Sequence, residues 1–282
     1  VYRVKFQSLN ISNLKIKELN MLSKRYRFTI PDSERLLELL KIPFYLDEYL
    51  KNYGGLNANI SYSDFKNILW NKRISKTAYT KNKVHIRREE CFLKIAHKRA
   101  NDGHYFVKVN DCGDGILQNL EYDEIIKYDS NAGGYFITHD IYEEWALDKI
   151  IERNFIQSND YKNLFETIGS SLPIRRSFRS WLSEKLFNNK YEVKYFIETT
   201  IVNNEIESYW KDEIYISVLL SDYAEIFFQL FEKKLVEDNQ ELLIRIIFLI
   251  RIACKEVDES ILNFLGIQKT ANIALNTFFT KP

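Results

Sequence analysis

The chain predicts a mainly α-helical protein with one small β-hairpin, and three observations carry that prediction. Glycine and proline are scarce, 9 and 4 among 282 residues, which favours long regular elements over loop-rich or all-β folds. Apolar residues recur at helical spacing along most of the length. Alternation with a period of two is confined to two short places. Hydrophobic residues make up 45% of the chain, enough for a sizeable core.

Three modules follow from the punctuation. The first, residues 1–79, is a helical domain. Residues 1–6 alternate as a strand, which cannot bury a face or pair its edge alone. A helix follows over 13–26. Asp32 is placed to cap a helix over 34–40, which Ile42 before Pro43 should stop. Pro43 suits the first position of the next helix, 43–52, because its missing N–H would be unpaired there anyway. Gly54 and Gly55 end that helix. Ser61 opens another, with Phe65, Leu69 and Ile74 on one face.

The second module, 80–155, begins with a helix over 87–101 carrying Cys91, Phe92, Ile95 and Ala96 on one side. A short helix over 117–125 is followed by strand, turn and strand over 125–137. A helix over 140–153 closes the module, with Asp140 as a good N-cap and Glu143 three residues on. Helix, helix, hairpin is the order of a winged helix.

The third module, 156–282, reads as helices over 173–187, 192–200, 205–220, 221–236, 240–254 and 258–265. Short polar turns join them, as in a solenoid-like stack of helical hairpins. The helix at 240–254 is apolar nearly all round and is expected to be central and buried.

Composition narrows the function classes. Lys and Arg number 40 against 39 Asp and Glu, so no bulk field draws in nucleic acid or an anionic membrane. The three cysteines, Cys91, Cys112 and Cys254, form no C-x-x-C pair and are expected as reduced thiols of a cytoplasmic protein. The most apolar stretch, around 242–254, is too short for a bilayer and is broken by Arg245 and Arg251. No phosphate loop, dinucleotide fingerprint, zinc-protease motif or nucleophile elbow occurs in the sequence. His85, His97, His104 and His139 have no Cys or carboxylate at metal-ligand spacing, so no catalytic or metal residue is assigned.

Three strings carry a family resemblance. Gly134-Tyr135-Phe136-Ile137-Thr138-His139-Asp140-Ile141-Tyr142-Glu143-Glu144-Trp145-Ala146 resembles the "F-x-H-D" end of the winged helix in the STAND class of P-loop NTPases, bacterial NACHT or AP-ATPase-like members included. Leu39-Leu40-Lys41-Ile42-Pro43-Phe44-Tyr45-Leu46 is similar to the "R/K-x-P-x-x-L" segment of that class's helical domain. Residues 170–182, with Arg175, Arg176 and Arg179, are similar to a string of bacterial members. The strings occur in the family's order.

The resemblance implies a fragment C-terminal to a missing nucleotide-binding domain. The opening Val1 in place of Met fits that expectation, with residues 1–6 as the exit strand. By position, Pro43 would pack on the adenine of a bound nucleotide, and His139 would reach the β-phosphate of ADP. The full-length protein would use ADP or ATP with Mg, while the fragment itself would be no enzyme and would bind no cofactor alone. Its partners would be its own nucleotide-binding domain, a protein ligand on the helical tail, and further copies in an active oligomer. Bacterial members often serve in anti-phage defence.

Other readings stand beside these. Pro43 also serves simply to punctuate two helices, and His139 to precede a helix cap. Arg175, Arg176 and Arg179 suit a solvated surface or a phosphate or acidic partner. A winged-helix DNA-binding regulator with a helical dimerisation domain is the alternative function, and a helical interaction scaffold is another. Against DNA, the recognition helix would carry Glu121, Asp123 and Glu124 and no Lys or Arg.

Overall fold

The computed structural model describes residues 12–56, 59–78, 83–158, 160–188, 190–221, 224–236 and 240–253, with short strand pieces at 256–257 and 280–281. The strand expected at 1–6 and the helix expected at 258–265 lie outside the described residues. The chain is mainly helical and divides into two compact units, Val1–Glu89 and Glu90–Pro282.

The first unit holds α1 (Ile16–Tyr26), α2 (Glu34–Leu40), α3 (Pro43–Asn52) and α4 (Tyr62–Leu69), which runs into a π-helical turn, Trp70–Ser75. Pro43 opens α3 as its first residue. Ser33, not Asp32, caps α2: its Oγ accepts from the Leu36 N–H at 3.4 Å. The π turn explains the spacing of the buried face. Phe65 and Leu69 are four apart, but Ile74 follows after five, and all three are fully buried. A left-handed residue, Lys76 at φ 51°, ends the turn. Arg88, buried on the following helix, donates to the carbonyls of Arg73 and Ile74 that the turn leaves open.

That helix, α5 (Val84–Asp102), crosses from the first unit into the second. On its second-unit part Phe92, Ile95 and Ala96 are fully buried and Cys91 is 2% exposed, as their spacing predicts. Next come α6 (Asp114–Tyr122), β1 (Ile126–Asp129), β2 (Gly134–Ile137) and α7 (Asp140–Gln157). β1 and β2 pair antiparallel, Ile126 against Ile137 and Tyr128 against Tyr135. Val107 adds a single bridge to Tyr135, through hydrogen bonds of 2.8 and 2.9 Å.

The rest of the second unit contains α8 (Tyr161–Ile168), α9 (Leu172–Asn188), α10 (Lys190–Val202), α11 (Ser208–Leu219), α12 (Ala224–Val236) and α13 (Glu241–Ala253). Two-residue strands, Glu256–Val257 and Thr280–Lys281, pair antiparallel. Odd-numbered helices form a row, α9 packing on α7, α11 on α9 and α13 on α11. An aromatic core ties their hairpin partners to that row: Phe165 of α8, Phe178 of α9, Phe196 of α10 and Trp210 of α11 are buried together. Among the described residues, no helix is long and apolar enough to cross a membrane.

Two expectations are corrected here. The helix at 240–254 is not central: Ile246 and Leu249 are buried, but Ile244, Ile247 and Phe248 are each more than half exposed. An all-round apolar helix buries only the sides its neighbours reach, and here α11 and α12 cover one side. The cysteines are not three separate thiols either, because Cys91 and Cys112 are joined as a disulfide with Cα atoms 5.3 Å apart. The turn before α6 returns Cys112 to the side of α5, a meeting that linear spacing does not encode.

Candidate functional site

The junction where the hairpin enters α7 is built from local turn chemistry. Asp129 Oδ1 accepts from the N–H groups of Asn131 and Ala132 at 2.9 and 2.8 Å, an Asx-type turn. Gly134 lets β2 approach the backbone at Val107, since a Cβ there would sit 3.2 Å from Val107 backbone atoms. Thr138 then fixes the chain before the helix. Its N–H donates to the Ile125 carbonyl at 3.1 Å, and its hydroxyl bridges the carbonyls of Ile125 and Glu124.

His139 follows, with extended backbone, as the N-cap of α7. The expected cap at Asp140 therefore moves back one residue, and Asp140 becomes the first helical residue. His139 makes no side-chain cap hydrogen bond, and its carbonyl accepts from the Tyr142 N–H at 3.0 Å. Its ring is exposed and meets Tyr142 edge-on at 5.9 Å. Tyr142 packs in turn on buried Trp145.

Arg99 of α5 braces this junction. One guanidinium nitrogen lies 3.1 Å from Glu143 Oε2 and another 3.5 Å from Asp140 Oδ1. The guanidinium stands 5.0 Å over the Tyr105 ring, which stacks on Phe136 of β2. Burial pushes the Glu143 carboxyl above its usual range, against the pull of Arg99. The folded state thus holds that proton more tightly than the unfolded chain, so this group favours folding as pH falls toward the carboxylate range.

Pro43 is exposed at the start of α3, where the Ile42 carbonyl accepts from the N–H groups of Tyr45 and Leu46. It belongs to the first unit and His139 to the second. As the first residue of α3 after extended Ile42, Pro43 fills the punctuating role. Both rings are exposed, Pro43 offering an apolar face and His139 its ring nitrogens. Asp140, 86% exposed, places a carboxylate beside His139, and Arg99 lies 3.5 Å from it.

Sequence reading missed the ion-pair clusters. Arg175 and Arg179 of α9 are not free surface cations: they flank buried Glu213 of α11, with nitrogen–oxygen distances of 3.7 and 2.7 Å. Glu213→Ala should therefore destabilise the second unit by about 2 kcal/mol, below the full cost of breaking a buried pair because both arginines are partly exposed. Urea unfolding of the variant checks this, and an unchanged midpoint would count against it. In the first unit Glu48 is buried and pairs with Arg73 through two hydrogen bonds. Spacings of 34 and 25 residues hide both clusters from local pattern reading.

The histidines serve structure differently. His97 Nε2 lies 2.9 Å from the Ile168 carbonyl and 3.0 Å from Asn101, tying α5 to the end of α8. Gly169, in a left-handed conformation, gives that contact room, since a Cβ would fall 2.2 Å from Asn101 Oδ1. Beside it, a cleft of about 450 Å³ lies between α8 and the start of α11, with Glu166, Glu205, Glu207 and Lys162 at its rim over Phe165 and Trp210. Among the described residues, no group of three or more His, Cys, Asp or Glu side chains converges as a metal site. No family model matches the chain, and no curated protein matches it.

Proposed function

We propose that the chain is the regulatory portion of a STAND-type ATPase switch, C-terminal to its nucleotide-binding domain. In the resting state it clamps ADP through Pro43 and His139. The α5–α7 region serves as the winged helix, and the rows of helices after it as a solenoid-like sensor for a protein ligand. The ligand opens the switch by binding the open state more tightly than the closed one, and opening leads to oligomerisation. Nucleotide hydrolysis and Mg coordination belong to the preceding domain. When bound, the nucleotide supplies the phosphate charge that the switch reads.

The observation that carries this reading is the placing of His139. The string that resembles the family's "F-x-H-D" motif, with Ile137 at the place of its Phe, falls at the end of β2 and the first turn of α7, with the imidazole exposed. Thr138 on one side and the Tyr142 bond on the other hold its backbone in place. An exposed imidazole on a fixed backbone can donate to a phosphate oxygen.

In the full-length protein, His139→Ala is expected to release ADP roughly 10- to 100-fold faster, the loss of one hydrogen bond to a charged group. Nucleotide retention after gel filtration and oligomer size by light scattering read the effect. A variant that keeps ADP like the parent and oligomerises no more readily sinks the proposal. The DNA-regulator reading is less favoured: α6, its recognition helix, holds Asp114 and Glu121 and no Lys or Arg.

A further inference from the structure

Cys91 and Cys112 are paired in a chain that has a single other cysteine, Cys254. Cys91 lies within α5, 2% exposed, next to the fully buried Phe92. Cys112 is half-buried and directly precedes Gly113, the N-cap of α6. Their Cα atoms are 5.3 Å apart, a separation that a disulfide spans without backbone movement. We propose that this pair is a reversible thiol–disulfide exchange site, which takes a small disulfide of the glutathione class and, once oxidised, locks segment 103–112 onto α5.

The two sulfurs have different tasks. Cys112 is half-buried, against fully shielded Cys91, and directly precedes the amino end of α6. Lys94, one turn after Cys91, pairs with Asp111 at 3.2 Å and ties the residue before Cys112 to α5. The Cys112 thiolate attacks one sulfur of the small disulfide, forms a mixed disulfide and expels one small thiolate. That thiolate takes up a proton from solvent. Cys91, shielded in the core, then gives up its proton and attacks the Cys112 sulfur. The Cys91–Cys112 bond forms and a second small thiol leaves. Two protein thiols are oxidised, and one small disulfide is reduced to two thiols.

The lock acts on a segment with defined contacts. Val107 pairs with Tyr135, and Tyr105 stacks on Phe136 beneath the Arg99 guanidinium. Arg99 reaches Asp140 and Glu143, the residues that follow His139. Reduction leaves the α5 core in place, because Phe92, Ile95 and Ala96 are buried by packing. The oxidation state therefore sets the local order of this support, and the inference stands whether or not a nucleotide is bound.

The test equilibrates the purified chain in defined ratios of reduced to oxidised glutathione, then alkylates free thiols and counts labels per peptide. Cys91 and Cys112 are expected to gain and lose labels together and reversibly, with the same midpoint in a Cys254→Ser background. The oxidised form is expected to melt roughly 5–10 °C higher, the gain from closing a loop of this length. It should also exchange amide protons more slowly over 103–112. Cys91→Ser and Cys112→Ser should each abolish the redox dependence. Should the buried Cys91→Ser fail to fold, the half-buried Cys112→Ser carries the test. Three results would overturn the proposal: both thiols labelled at every ratio, a bridge that reduced glutathione opens only after unfolding, or a transition that needs Cys254.

Discussion

Trp210→Ala is expected to lower the unfolding free energy of the second unit by about 4 kcal/mol, the scale of a large aromatic truncated in a packed core. Trp210 is 2% exposed and stands where three helices meet. Its ring stacks on Phe165 of α8 at 4.6 Å and meets Phe178 of α9 nearly edge-on at 5.1 Å. Phe165 and Phe178 also touch each other at 5.5 Å. Alanine would remove the shared member of this triangle and leave a void that the short α8 cannot close without shifting. Stacked and edge-on ring pairs add to the loss beyond the area buried. Total stabilities of single domains are about 5–15 kcal/mol, so this loss takes a large share. Trp210→Phe keeps an aromatic surface and should cost less than half as much. Urea unfolding followed by far-UV circular dichroism separates the cases, and an alanine variant within about 1 kcal/mol of the parent would refute the argument.

The second large effect is expected in the first unit. Arg88→Leu should cost about 3 kcal/mol, although leucine is well suited to a buried helical position. Arg88 is 2% exposed, and its guanidinium donates to the carbonyl of Arg73 at 3.1 Å and to that of Ile74. These acceptors lie at the end of the π turn, where no further helical N–H follows. Leucine would leave one buried and one partly buried carbonyl without these charged donors. Arg88→Lys should recover part of the loss, since an ammonium is a point donor and lacks the planar fork. Thermal unfolding of the three proteins gives the ranking parent, Lys, Leu. Equal midpoints would show that the carbonyls find other partners.

Much of the helical architecture was legible because its signals are local. Pro43 after a residue pushed to extended backbone marks the start of α3 to the residue. The face Ile174, Phe178, Trp181, Leu182 and Leu186 of α9 is buried as its spacing requires. The hairpin could be read from Asp129 through Gly134, and the structure closes it there. The helix α8 escaped notice because it has only eight residues and follows a polar run. Its signal was present: Asp160 caps it by accepting from Lys162 N–H, and Leu164, Phe165 and Ile168 share its buried side.

The candidate site was legible only in part. The position of His139 at the start of α7 follows from the strand-to-helix change of period. Arg99 beneath it does not, because 40 residues of chain return before the two elements meet, and no local pattern encodes that return. The Cys91–Cys112 pair and the Glu213 cluster belong to the same class of fact, fixed by tertiary packing.

The row α7, α9, α11, α13 has a mechanical meaning. Each member packs on the next, so α11 and α9 stand between α13 and α7. A small twist at α13 would have to cross both before it reached α7 and the hairpin. The exposed apolar side of α13 lies at the far end of this train, the position from which a load has the longest lever.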